Sequence, residues 1–452
     1  MSTATGMTNR TRRARPARLA TLLLALLPSC PATAATDPPP KLEAWSTQDW
    51  MQAVDTLQQQ VGVLQDRVRM LESGEAELTE ERAKVMRELI GDVLADADTR
   101  AGLFADETAG YDDAFFIASA DGDFRLEFSG QIQARYTYNR RDEPNNGDGT
   151  TSGFEMRRVK LKFSGDLGEN VGFSIKGAFN RVTGSFLIND AVIKLDLDEG
   201  VRLQVGRARA TILREEWVSS KRQLTVERSL VARRFRQLRT TGVALSKRTA
   251  TTRFHIGVAD TSQALFSTDG WLASTRLEFL MSGTWRALED FTSFRDDTPT
   301  VMVGAGILYA ERDDGTLISN SELVRWTADV NMEFGGGTLF ASVIGNHNDP
   351  DGGVSRDQYG VVVQGGYFVS NDMELIARYE WGDADGVTED LSVITVGVNR
   401  YIVRHNLKWT VDIGYGLNEV GGFWSSSGAG WRTDRPGNDG QIVVRAQFQL
   451  LF

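Results

Sequence analysis

Between Arg202 and Arg239 the chain carries eleven basic side chains and three acids, Glu215, Glu216 and Glu227. The bases are Arg202, Arg207, Arg209, Arg214, Lys221, Arg222, Arg228, Arg233, Arg234, Arg236 and Arg239. A guanidinium donates two parallel hydrogen bonds to a phosphate or carboxylate, whereas an ammonium offers a point charge. Such a run suits reversible recognition of anions, with several moderate sites so that none becomes a trap. A second basic set lies upstream, where Arg158, Lys160 and Lys162 alternate with Val159, Leu161 and Phe163. On a strand that spacing puts the bases on one face and the apolar residues on the other. The same parity puts Arg125, Arg135, Lys176, Lys194, Arg202, Arg325, Arg378, Arg404, Lys408 and Arg445 opposite the apolar residues of their own segments. Glu127, Asp196, Asp329, Glu333, Glu374, Glu380 and Asp412 partly offset them. Two other uses of the basic loop stay open: binding lipopolysaccharide phosphates, and pairing with acids of a neighbouring loop. A β-bulge would flip the parity of any one residue.

Other chemistries find little support. His255, His347 and His405 are the chain's histidines and fall in separate segments. The cluster Asn346-His347-Asn348 has no serine partner for nucleophilic catalysis. With so few histidines and the single cysteine Cys30, no metal site, cofactor or catalytic group is expected. The basic residues are not interleaved with aromatics on their own face, so nucleic acid is not an expected partner.

The elements that position these side chains follow from periodicity. From residue 123 onward, segments of about ten alternating residues are separated by Gly, Asn, Asp and Ser clusters, the pattern of a transmembrane barrel. Sixteen strands are predicted, beginning near 123, 154, 169, 188, 200, 237, 250, 270, 299, 322, 337, 356, 371, 389, 403 and 438. A barrel of that size leaves an aqueous channel, with the apolar face towards lipid and the basic face lining water. Short turns such as 166–169 and 334–337 alternate with long loops, among them a third loop at about 209–236. The last strand alternates Val444, Ala446, Phe448, Leu450 and Phe452 with Arg445, Gln447 and Gln449. Its terminal aromatic resembles an outer-membrane assembly signal. Parity sends His255 to the lumen and His405 to lipid.

The N-terminal part is different in kind. Five arginines, the apolar run Leu19 to Leu27 and Ala32 to Ala35 read as a signal peptide over 1–35. A lipoprotein site at Cys30 and a twin-arginine signal at Arg12-Arg13 are weaker readings of the same residues. No apolar run approaches the roughly 20 residues of a spanning helix. A proline-rich linker (36–49) leads to heptads of Val54, Val61 and Val68 with Leu57, Leu64, Leu71 and Leu78. These predict a coiled coil over 50–98, with a single amphipathic helix as the other reading. A linker follows over 99–122. The net charge of −11 belongs mostly to this extension, since 36–122 holds nineteen acids and seven bases.

The strand Phe154-Glu155-Met156-Arg157-Arg158-Val159-Lys160-Leu161-Lys162-Phe163, the turn Val205-Gly206-Arg207 before the long third loop, Arg378-Tyr379 and the closing strand resemble the phosphate-selective porin family, in that order along the chain. The resemblance implies an all-β, 16-stranded outer-membrane barrel with its N-terminal segment in the periplasm. It also implies a homotrimer with the third loop folded into each pore. The expected function is passive, anion-selective diffusion of phosphate, polyphosphate or other small anions. The expected path residues are Arg158, Lys160, Lys162, Lys176, Lys194, Arg202, Arg207, Arg209, Arg214, Arg222, Arg228, Arg233, Arg234, Arg236, Arg404 and Lys408. A general porin, or an envelope tether with an incidental pore, stays open as an alternative.

Overall fold

A sheet with one greasy and one wet face satisfies all its backbone groups inside a membrane only by closing on itself. The computed structural model shows that closure. It describes residues 108–452 apart from 112–113, 120, 143–148, 211, 262–269, 313–320 and 351–352, plus ten helical residues between 51 and 84. The predicted signal segment, the first linker, most of the coiled coil and the residues before 108 lie outside the described residues. The chain divides into two units, Met1–Ala97 and Asp98–Phe452.

Strand β1 (Ala109–Tyr111) and strand β2 (Phe115–Ala118) precede the barrel proper. Its strands are β3 (Phe124–Arg140), β4 (Thr150–Leu167), β5 (Val171–Phe179), β6 (Phe186–Asp196), β7 (Val201–Arg209) and β8 (Arg239–Arg248). They continue with β9 (Thr252–Asp260), β10 (Gly270–Ser282), β11 (Thr300–Arg312), β12 (Ser321–Glu333) and β13 (Gly337–Pro350). The circuit ends with β14 (Arg356–Phe368), β15 (Met373–Ala384), β16 (Leu391–Val403), β17 (Leu407–Gly416) and β18 (Ile442–Leu451). Each pairs antiparallel with its sequence neighbour, and β18 returns to β3 with Ile442 opposite Arg140 and Leu451 opposite Gln131. The result is a closed 16-stranded barrel. The end of β3 that β18 does not reach is covered by β2, with Phe115 opposite Phe128, so no open edge is left there.

Burial follows the two-residue period. On β15, Glu374, Ile376, Arg378 and Glu380 are buried while Leu375 and Tyr379 are exposed on the outside. Phe448 and Leu450 face out on β18, and Arg445, Gln447 and Gln449 face in. One irregularity matters for the site. Opposite the β3 step from Gln133 to Ala134, β4 steps from Arg158 to Met156 and leaves Arg157 unpaired. This bulge lets Arg157 and Arg158 both turn inward.

Two segments fill part of the interior. The third loop (210–238) carries helices α1 (Arg214–Trp217) and α2 (Leu230–Phe235), the latter capped by Ser229 Oγ accepting from the Ala232 amide at 2.9 Å. Its Ile212, Leu213, Leu224, Val231 and Phe235 pack against Phe340, Ile344, Val362 and Ile376 of the wall. Gly360 permits this approach, since a Cβ there would lie 2.5 Å from Val231 Cγ1. The fourth turn (283–299) is the second filler. Phe291 packs on Phe340 and Phe294 on Phe368 and Tyr401, closing the turn end of the β13–β16 arc.

Candidate functional site

A buried loop brings backbone amides and carbonyls that must find partners. The inner wall supplies them. Lys408 Nζ donates to the Gln223 carbonyl at 3.0 Å, and Asn399 Nδ2 to that of Leu224 at 2.9 Å. Asp412 accepts from the Val226 amide at 2.8 Å and Glu380 from the Leu230 amide at 2.5 Å. Arg378 Nη1 donates to the Glu227 carbonyl at 2.9 Å. Charge pairs seal the same side. Arg276 meets Asp329 at 2.7 Å, Arg445 meets Asp412 at 2.6 Å, and Arg378 meets Glu380 at 2.8 Å. Parity placed Arg378, Lys408 and Arg445 inward, but they are engaged by buried acids or covered by the loop, as is Arg276.

The opposite arc, β4 to β9, stays open. At the loop end lies a cavity of about 1050 Å³ lined by Arg141, Arg157, Arg158, Lys160, Arg181, Arg209, Arg228, Arg233, Arg236 and Arg432, with Ser425, Ser426 and Ser427 of the last loop. Among the described residues, no carboxylate lines it. At the turn end a second cavity of about 810 Å³ is lined by Lys160, Lys176, Lys194, Arg202, Arg209, Arg228, Arg239, Lys247, Arg248 and Arg253, with Asp190, Asp196 and Glu216. The residues common to both cavities are Lys160, Arg209 and Arg228. All three are cations.

Two loop acids hold the arginines of this arc. Glu227 is 1% exposed and accepts from Arg157 at 2.6 Å, Arg135 and Arg158 at 2.7 Å, and Arg233 at 3.3 Å. Burial alone would raise its carboxyl, but Arg158, Arg157, Arg135 and Arg233 outweigh that and hold it well below 4.5. Glu216 pairs with Arg209 and, at 3.4 Å, with Arg228. Lys160 Nζ donates to Ser220 Oγ at 3.1 Å.

The expected path residues therefore separate into groups. Arg158, Lys160, Lys176, Lys194, Arg202, Arg209, Arg228, Arg233 and Arg236 line one cavity or both. Lys162 shares the inward face of β4 and stands opposite Lys176 in register, but is not part of either cavity wall. Six expectations need correction. Arg207 shares the outward face of β7 with Leu203 and Val205, because Arg202 and Gln204 take the inward one. Arg214 is buried in α1 and donates to the Leu288 carbonyl of the fourth turn. Arg222 is held by Glu289 at 2.6 Å. Arg234 lies 3.7 Å over the Phe423 ring. Arg404 sits in a turn, paired with Asp296 at 2.6 Å and stacked on Phe294. Lys408 is buried beneath the third loop. His405 also departs from parity. It lies 3.2 Å from Asp290 and packs on Phe294 and Tyr401, inside rather than towards lipid. Among cavity-lining bases, Arg157 was hidden by the bulge, and Arg141, Arg181 and Arg432 sit in or beside loops where alternation says nothing.

Comparison with known proteins agrees with this architecture. Residues 128–289 match the family model of phosphate-selective porin O and P, so the family resemblance is shown over β3 to the fourth turn. An uncharacterised protein of Aquifex aeolicus (strain VF5) is 27% identical over 152 residues, 30% of this chain and 36% of that one. The chain thus spans about a third of the length of the curated relative it matches. The barrel is similar to an anion-selective porin from Comamonas acidovorans, with TM-score 0.54 and 13% identity over 73% of this chain and 100% of that one. It is also similar to the trimer form of OmpT from Vibrio cholerae, with TM-score 0.52 and 12% identity over 72% and 99%. The barrel thus shares the fold of solved porins, and residues 128–289 carry the match to a porin family model.

Proposed function

We propose that this barrel is an anion-selective channel for phosphate or polyphosphate, with ions passing along the β4–β9 arc through the Lys160–Arg209–Arg228 neck. The observation that carries the reading is that the residues shared by the two cavities are all cations. A charged ring between low-dielectric walls concentrates counter-ions and repels cations. The start of β3 at the short-turn end supports a periplasmic N-terminal segment. The homotrimer is supported by the trimeric form of one structural relative. Reversal potentials of the purified channel under a KCl gradient test the proposal. Chloride preference is expected, with phosphate blocking the chloride current at millimolar levels or below. Cation preference would refute it, and chloride preference without phosphate block would leave a general anion channel.

A further inference from the structure

The turn-end cavity holds an aromatic pair that simple passage of phosphate does not use. Trp217, the last residue of α1, stands at right angles to His255 of β9, with ring centroids 5.4 Å apart and planes at 86°. Both rings line the cavity and both stay partly exposed. From 212 to 220 only Trp217 and Ser219 escape full burial, so the loop turns this ring towards water. Buried Arg276 backs the Trp217 ring, its guanidinium carbon 5.9 Å from the centroid. Neither ring nitrogen of His255 has a hydrogen-bond partner among the described residues. Cations stand beside the pair. Glu216, next to Trp217 in the chain, holds Arg209 and, at 3.4 Å, Arg228, and both line the same cavity with Lys160. Small residues, among them Gly206, Ala208, Gly242, Ala244 and Gly257, leave a recess of about 30 Å³ beside His255 and Arg209. Alternation along the strands placed no aromatic among these bases; the third loop brings one there.

We propose that this cavity binds phosphate monoesters carrying a flat aromatic group, with nucleoside monophosphates as the representative class. The phosphate engages Arg209 and Arg228, and the ring lies against Trp217. A neutral imidazole has one donor and one acceptor nitrogen, so His255 offers a hydrogen bond to a polar atom on the ring or sugar. Stacking and charge pairing then act on one solute at once. The cavity's volume of about 810 Å³ lies within the roughly 300–1000 Å³ of small-molecule sites. The inference rests on the anion path proposed above and deepens it by naming a solute class that dwells there.

The test compares block of chloride current in planar bilayers by adenosine monophosphate and ribose 5-phosphate, which share phosphate and sugar and differ in the base. Adenosine monophosphate is expected to half-block at a concentration lower by about fivefold or more. Fivefold corresponds to about 1 kcal/mol, the lower end of stacking one base on an aromatic side chain. Equal potency of the two probes would overturn the proposal, because the rings would then serve only to seat the loop. Trp217→Leu is expected to raise the adenosine monophosphate half-block to that of ribose 5-phosphate and to leave ribose 5-phosphate within about twofold. Parallel shifts of both probes would also overturn it. Should that variant fail to assemble, as judged by heat-shifted gel mobility, His255→Ala removes the other ring from the wall strand. It is expected to narrow the gap between the probes at least twofold, and an unchanged gap counts against the site. A channel that prefers chloride but does not distinguish the two probes refutes this inference alone. A channel that prefers cations refutes the path beneath it.

Discussion

Glu227→Gln tests whether the buried loop acid limits anion binding in the pore. Glutamine keeps the shape and one acceptor oxygen while removing a negative charge from among Arg135, Arg157, Arg158 and Arg233. The loop stays anchored, because Arg378 and Thr225 bond the Glu227 backbone carbonyl and not its side chain. Arg158 stands two residues from Lys160 on β4, about 7 Å away at the rise of an extended strand. A unit charge at that distance and an effective dielectric of about 20 is worth about 2 kcal/mol. Salt at 0.15 M, with a Debye length of about 8 Å, reduces this to roughly 1 kcal/mol. Since 1.4 kcal/mol is a factor of ten, anion occupancy at the neck is expected to rise roughly fivefold.

The assay is the phosphate concentration that halves the chloride current. It is expected to fall roughly fivefold, with a slower unitary current as ions dwell longer. The same carboxyl yields a pH expectation. A depressed carboxyl exerts its full effect above the ordinary carboxylate value and loses it only as pH falls through the lower folded value. Block by a probe of fixed charge such as sulfate is therefore expected to stay level between pH 5 and 8 and to tighten only in stronger acid. An unchanged or weaker block in Glu227→Gln, in a barrel that still shows heat-shifted mobility, refutes the reasoning.

The remaining expectations separate path from scaffold. Lys160→Gln, at the neck, is expected to weaken phosphate block several-fold, whereas Arg207→Gln, on the outward face of β7, is expected to shift the reversal potential by no more than experimental scatter. Replacing 286–297 with a short glycine turn removes Phe291 and Phe294 from the β13–β16 arc. Conductance is expected to rise and chloride preference to fall; unchanged values would show that the fourth turn does not narrow the mouth.

The strands were legible because their period of two is enforced by lipid outside and water inside. Predicted starts lie close to the observed ones throughout, the largest offsets being 154 against Thr150, 403 against Leu407 and 438 against Ile442. What alternation could not show was what covers an inward residue. Arg325, Arg378, Arg445 and Lys408 face in as parity requires, yet they meet buried partners or the third loop. The composition of 283–299 gives no sign that it turns inward, because Leu288, Phe291 and Phe294 are spaced three apart on a segment without a long regular element. Arg157 was missed for a different reason. A single-residue bulge on β4 leaves no mark in the hydrophobic pattern, and it changes which face an arginine serves.

The path's charge and the chain's net charge have opposite signs, and the fold explains how both hold. Sixteen strands enclose more space than a selective pore needs. Filling half of it with a loop requires partners for every buried amide and carbonyl, and long polar side chains supply them. Once buried, those side chains must be neutralised in pairs, since an unpaired charge in that half would cost several kcal/mol. Carboxylates such as Asp329, Glu380 and Asp412 are thereby used up against Arg276, Arg378 and Arg445. The open half has fewer carboxylates, and two of those, Glu216 and Glu227, are embedded in the loop and face several arginines at once. Positive potential therefore survives only where water remains. The anion selectivity we propose is then a property of how the loop divides the lumen, and moving the loop is expected to change selectivity without altering a single charge.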